Sequence, residues 1–116
     1  MLSRLFGTRP DEQTVTGRLA AAVQAVPGVT THDVSYNHQQ YAGGAVSGTV
    51  DVRDRETFGV VLRAVTSTLI GLLGKDTDRV TIYLAGRLAD GSTVVPGDLG
   101  FSQPPIGREL VRHFSG

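Results

Sequence analysis

Residues 54–74, DRETFGVVLRAVTSTLIGLLG, constrain this chain more than any other stretch. Phe58, Val61, Leu62, Val65, Leu69, Leu72 and Leu73 recur at helical spacing, so they share one broad face of a single helix. No other segment carries as much apolar surface. The rest of the fold must therefore be whatever covers this face. Asp54 is placed to cap the helix and Glu56 lies in its first turn, while Gly74 ends it with Lys75 near the negative pole. Gly59 and Gly71 weaken a helix, and their expected use is close packing against a neighbour.

The flanking segments supply that cover. A first helix is predicted over residues 14–25, with Asp11 or Thr14 as its cap and Val15, Leu19, Ala22, Val23 and Val26 as its buried stripe. Pro27-Gly28 stops it. A first strand follows over 29–38, in which Val34, Tyr36 and His38 share a face. Residues 39–44 form a wide polar hairpin loop. The second strand, 45–53, alternates Val46, Gly48, Val50 and Val52 with Ser47, Thr49, Asp51 and Arg53, the pattern of a sheet with one buried and one wet face. Gly48 is expected to make room for the central helix.

Beyond the central helix, residues 75–79 read as a short loop and 80–87 as a third strand. Asp90-Gly91 is a hairpin signal, 93–95 a short fourth strand that Pro96 ends, and 97–103 a compact loop. Pro104-Pro105 fit the first turn of a final helix, in which Ile106, Leu110 and Phe114 recur every four residues. The expected architecture is α+β: a single domain over 11–116, ordered α-β-β-α-β-β-α, behind a loose N-terminal arm at 1–10. Its four-stranded mixed sheet carries two helices on one face and adds a short C-terminal helix. A helix crossover joins two hairpins. The simplest sheet order is 1-2-3-4 with a central parallel pair. In the alternative order, 1-2-4-3, strand four lies between them. The open face would carry Ser47, Thr49, Asp51, Thr81 and Tyr83, either wet, covered by the third helix, or used for binding.

Bulk properties narrow the function classes. Eleven basic residues balance eleven acidic ones, so no global field favours nucleic acid, and no nucleic-acid partner is expected. Cysteine is absent, which removes disulfides and thiolate chemistry. Trp is absent too, which weakens a base-stacking surface. The N-terminus has no long apolar run of the secretory type. The central helix, with Arg63, Thr66, Ser67 and Thr68, reads as too short to span a bilayer. The expectation is a soluble, cytoplasmic protein, with no membrane contact anticipated. Leu2, Leu5 and Phe6 form at most one amphipathic turn, read as packing on the domain edge or as a weak hook.

No arrangement of residues carries a reaction. His32 and His38 lie six apart on one strand, about 20 Å, and cannot share an ion. His113 sits near the end of the last helix. Asp76 and Asp78 lack the further acidic ligands and the glycine of a calcium loop. Gly71-Leu72-Leu73-Gly74-Lys75 ends a helix and has no Ser or Thr after the Lys, unlike a phosphate loop. No serine has a nucleophile-elbow context. The reading leans away from an enzyme and assigns no cofactor and no metal. Two groups remain as candidate contacts for a partner or ligand. One is the hairpin tip with Asn37, His38, Gln40 and Tyr41. The other is Tyr36, Tyr83 and Arg87, placed to line a pocket between the open sheet face and the final helix.

Two resemblances bear on this. Ala25-Val26-Pro27-Gly28-Val29, then Val46-Ser47-Gly48-Thr49-Val50-Asp51 and a helix, resembles BON-type domains over residues 14–86. These are small αββαβ modules associated with envelope or lipid surfaces. The chain departs from that pattern in its longer first hairpin, its more apolar second helix and its extra hairpin and helix after residue 86. The helix-PGV-strand opening is also similar to that of small α+β proteins of high-GC Gram-positive bacteria. With it go Asp98-Leu99-Gly100-Phe101, Pro104-Pro105 and Glu109-Leu110. That likeness covers most of the chain and implies no activity or site residue. The sequence therefore supports an interaction module able to self-associate. The alternatives are a small-ligand binder or enzyme using the sheet–helix pocket, and an envelope-associated module.

Overall fold

A computed structural model describes residues 10–38 and 43–115. The helices are α1 (Glu12–Gln24), α2 (Arg55–Leu73) and α3 (Gly107–Ser115), and the strands are β1 (Val29–His32), β2 (Ser35–Asn37), β3 (Ala45–Val52), β4 (Thr81–Arg87) and β5 (Thr93–Val94). Asp11 caps α1 by accepting the Thr14 N–H at 2.7 Å. Asp54 caps α2, accepting both the Thr57 N–H at 2.8 Å and the Thr57 hydroxyl at 2.7 Å. Each carboxylate pairs a donor that the first helical turn would otherwise leave without a partner.

β3 and β4 run parallel at the centre of the sheet, from Ala45 opposite Thr81 to Asp51 opposite Arg87. β1 and β2 both pair antiparallel with β3, and β5 pairs antiparallel with β4. The order is the expected 1-2-3-4, with the first position shared by β1 and β2. The first strand is interrupted at Asp33 and Val34, while its register against β3 slips earlier, between Val29 and His32, and is the same on both sides of the interruption. Asp33 bridges the break: its N–H donates to Thr49 O at 3.2 Å and its Oδ1 accepts the Thr49 N–H at 2.6 Å.

α1 and α2 pack on one face of the sheet. Val15, Leu19 and Val23 of α1 meet Phe58, Val61, Leu62, Val65 and Leu69 of α2 over Val46, Val50, Ile82 and Leu84, all buried. The expected contact glycines are corrected. A Cβ on Gly48 would lie 2.8 Å from Asp33 Oδ1 and 2.9 Å from Val34 Cα, so this glycine (φ +144°) makes room for the broken strand and not for α2. Gly71 has open space around it, and a Cβ on Gly59 would make only ordinary contact with Leu99 at 3.8 Å. The close approach of helix to sheet is at Gly86, where a Cβ would sit 2.9 Å from Phe58 Cδ1.

Three further boundaries differ from expectation. Residues 75–79 are not a loop: Gly74–Arg79 forms a 3-10 turn that continues α2. The continuous helical stretch Arg55–Arg79 is thus 25 residues, long and apolar enough by length and composition to cross a membrane, which corrects the expected shortness of this helix. Its buried apolar residues are those that fill the core described above. Residues within 97–103 also contribute a second 3-10 turn, Pro96–Leu99. Pro104 and Pro105 precede the final helix instead of opening it. The Gln103–Pro104 peptide is cis. Pro105 O accepts the Ile82 N–H at 3.0 Å, and the Gly107 N–H donates to Val80 O at 2.7 Å. The chain thereby adds a short rung to β4 before α3 starts. α3 then packs chiefly on α2 and the first 3-10 turn, with Leu110 fully buried.

Candidate functional site

The face of the sheet opposite α1 and α2 is built by strand alternation alone. Register places its residues in rows across the strands. Asn37, Ala45 and Thr81 form one row, and Ser35, Ser47 and Tyr83 the next. Thr49 and Ala85 follow, then Asp51, Arg87 and Thr93. Ile106 pairs with Thr81 across a bridge and so takes the same face. Tyr83 is 41% exposed and Ile106 42% exposed, two of the four large apolar side chains that stand most clear of the body among the described residues. Val60 and Ile70, the other two, lie on the outer side of α2.

One end of the face is polar and locked. Arg87 donates to Asp51 through Nε at 2.8 Å and through a terminal nitrogen at 3.0 Å, a two-pronged pair. Thr31 donates its hydroxyl to the second Asp51 oxygen at 2.6 Å. The Arg87 hydrogen bonds first, and Thr31 second, hold the Asp51 carboxyl below the usual carboxylate range, and Asp51 in turn raises Arg87. Both carboxylate oxygens are engaged and the group stays ionised. Asp51 is therefore unsuited to take a proton from a substrate near neutral pH.

Among several other concavities, two are described by their side chains. At the carboxyl ends of the parallel strands a wide cleft of about 660 Å³ is lined by Arg53, Asp54, Arg55, Glu56, Leu88, Ala89 and Asp90. Three of its charged side chains are engaged with partners of different kinds, and Asp54 is both an ion-pair partner and a helix cap. Arg53 lies 3.5 Å from Asp54, Arg55 donates to Asp98 O at 2.7 Å, and Asp90 accepts from Ser92. The hydrogen bonds from Ser92 hold Asp90 below its ordinary pKa, and those from Thr57 do the same for Asp54. A smaller groove of about 250 Å³ lies between α2 and α3, over Val60, Leu99, Phe101 and Phe114. There the His113 ring meets Phe101 and Phe114 edge-on, each at 4.8 Å. Among the described residues no group of three His, Asp or Glu side chains could hold a metal ion.

The residues singled out from sequence do not converge. Tyr83, Arg87 and Asn37 share the open face. Tyr36 is on the other side, 4% exposed and part of the core, because it pairs with Val46 and takes that residue's inward direction. His38 turns to α1, its N–H donating to Glu12 Oε2 at 2.9 Å. Gln40 and Tyr41, like residues 1–9 of the N-terminal arm expected at 1–10, lie outside the described residues. The groove that α3 makes is with α2. The four-residue spacing predicts Ile106 in the final helix and its core stripe, and the structure puts it in a bridge with Thr81 instead. Its place on the open face depends on the Pro105 rung, which nothing in local periodicity reveals.

No family model, curated protein or solved structure matches this chain.

Proposed function

We propose that this chain is a non-enzymatic interaction module that pairs with a second copy of itself through the open sheet face. The observation that carries the reading is a sheet face not covered by α1 or α2, with Tyr83 and Ile106 standing over 40% exposed upon it. Large exposed apolar groups grouped on one face favour association. Charge favours a like partner: the chain is neutral overall, and Asp51 is already matched by Arg87, so two copies meet without net repulsion. Strand spacing and rise make the face about 20 by 25 Å, so a dimer buries roughly 1,000 Å² in total, at the lower bound for specific contacts. The expected complex is weak and reversible, symmetric about a two-fold axis.

Equilibrium sedimentation over a broad concentration range tests this. The expected result is a monomer–dimer equilibrium, weakened roughly tenfold by Tyr83→Ser or Ile106→Ser, as for an interface anchor. A strict monomer at every concentration, or a dimer indifferent to both substitutions, overturns the reading.

A further inference from the structure

The open face changes character along its strands and is nearly symmetric across them. Along the strands it passes from an apolar end, with Ile106 and Tyr83, to a polar end at Asp51 and Arg87. Across the strands the last row reads Thr31, Asp51, Arg87, Thr93, which is hydroxyl, acid, base, hydroxyl. The Arg87 and Asp51 side chains hold each other yet stay 58% and 27% exposed, so both still present charge outward. Turned over from left to right, the row becomes hydroxyl, base, acid, hydroxyl, which is its own complement.

This pattern decides how two such faces meet. A two-fold axis that brings one face onto the other lies in the plane between them, and aligned strands leave it two directions. If it runs across the strands, the apolar end of each copy covers the polar end of the other. Asp51 and Arg87 then lose water beneath apolar side chains and gain no charged partner, which is costly. If it runs along the strands, each end covers its own kind. Charge then sets the lateral position. An axis over β4 stacks Arg87 on Arg87, and one over β3 stacks Asp51 on Asp51. An axis midway between β3 and β4 puts Arg87 over Asp51 of the second copy, and by symmetry does so twice. An axis further out leaves the charges unmatched.

We propose that two copies pair about a two-fold axis that runs along the strands, midway between β3 and β4, with the Asp51–Arg87 row as the element that orients them. The arrangement rests on the face-to-face reading above. Because β3 and β4 exchange places about this axis, their parallel register fixes the facing positions. Ser47 lies opposite Tyr83 of the second copy, Thr49 opposite Ala85, and Asp51 opposite Arg87. A larger side chain meets a smaller one at the first two positions, and opposite charges meet at the third. Ile106, one place beyond β4, falls opposite Asn37 of the second copy, one place beyond β3. Tyr83 supplies contact area, and the charged row supplies direction.

Sedimentation equilibrium with charge-reversed chains tests this. Asp51→Arg puts two positive charges in the row and Arg87→Asp two negative ones, so either chain alone dimerises at least roughly tenfold more weakly than the parent. An equimolar mixture of the two restores one-to-one pairing at parental strength or better, since each reversed row then faces its opposite. The combined Asp51→Arg/Arg87→Asp chain keeps an acid and a base in the row and dimerises like the parent. Adding Tyr83→Ser to both members of the mixture weakens their pairing, which separates contact through this face from attraction at a distance. A parent that stays monomeric overturns the face reading and this arrangement with it. A parent dimer that Tyr83→Ser weakens, but whose reversed chains neither weaken alone nor pair when mixed, keeps the face reading and overturns the arrangement. Should a reversed chain fail to fold, a nitroxide label on Thr81→Cys reads the axis directly, because the chain has no other cysteine. Sheet spacing and strand rise put the two labelled positions about 11 Å apart for an axis along the strands and about 22 Å apart for one across them. The shorter distance is expected, and the longer one overturns the arrangement.

Discussion

Val46, Val50 and Ile82 are sealed beneath α1 and α2, while one residue along the same strands Ser47, Thr49 and Tyr83 look outward. The two faces share a backbone and a register, yet they obey different constraints. On the helix side the fit is set by volume: Phe58 is fully buried over Gly86, where an added carbon would lie 2.9 Å from its ring and 2.7 Å from Val94 Cγ1. On the open side the contacts shown are polar pairings, Asp51 with Arg87 and Thr31. The helix side thus specifies where α2 sits, and the open side takes no part in that fit.

A matched pair of substitutions one residue apart across the β3–β4 ladder breaks this comparison if it is mistaken. Gly86→Ala overpacks the Phe58 contact and is expected to cost about 1–3 kcal/mol. Thr49→Val keeps both shape and strand preference on the open face, and its change stays within about 0.5 kcal/mol. Urea denaturation of both variants against the parent measures the difference. Equal costs would mean that the two faces are packed alike.

The distribution of these constraints was only partly readable from sequence. The alternation in 45–53 and the helical period in 54–74 separate inward from outward residues without knowledge of any partner strand, and the caps Asp11 and Asp54 announce themselves by residue type. Register is another matter. Shifting β4 by two residues against β3 would leave every side chain on its own face, so alternation cannot decide that Asp51 meets Arg87 or that Gly86 lies under Phe58. The Gly48 error has the same origin. A glycine facing inward on a strand invites a helix, but the approaching atoms belong to Asp33 and Val34, where the neighbouring strand is interrupted. Ile106 shows a third limit. Its four-residue spacing to Leu110 fits a helix, whereas the hydrogen bonds of Pro105 and Gly107 draw that turn into the sheet.

The junction where this rung meets the first 3-10 turn offers a smaller, stabilising change. Thr77 is 1% exposed and its Oγ1 has no hydrogen-bond partner, whereas Thr57 and Thr66, also buried, have theirs in Asp54 and Leu62 O. A buried hydroxyl without a partner opposes folding. Thr77→Val keeps the shape and removes the oxygen, with an expected gain of about 1 kcal/mol in thermal or urea unfolding. Thr66→Val, which discards a satisfied hydroxyl, serves as the contrast and is not expected to match that gain. A loss of stability in Thr77→Val would show that the junction needs the hydroxyl and that polar pairing extends into the helix side.

The smallest effect concerns acid. Asp51 on the open face and Asp11 and Asp54 at the helix caps all have carboxyl pKa values held below the ordinary one, by Arg87 and Thr31, by Thr14, and by Thr57 respectively. A carboxyl depressed in the folded state binds its proton more readily when unfolded. Its stabilisation is therefore present above the unfolded pKa, about 3.9, and is lost as pH falls through the lower folded value. Stability should decline below about pH 4, and each group contributes little because all three are open to solvent, where water and salt screen them. Asp51→Asn should make this decline shallower while leaving α1 and α2 capped. Asp54→Asn should do the same through the helix side, since asparagine still accepts at a cap. Thermal unfolding between pH 2.5 and 6 distinguishes them. If Asp54→Asn flattens the acid limb and Asp51→Asn does not, the Asp51–Arg87–Thr31 cluster contributes nothing to folding, and its fixed geometry is then free to serve recognition on the open face.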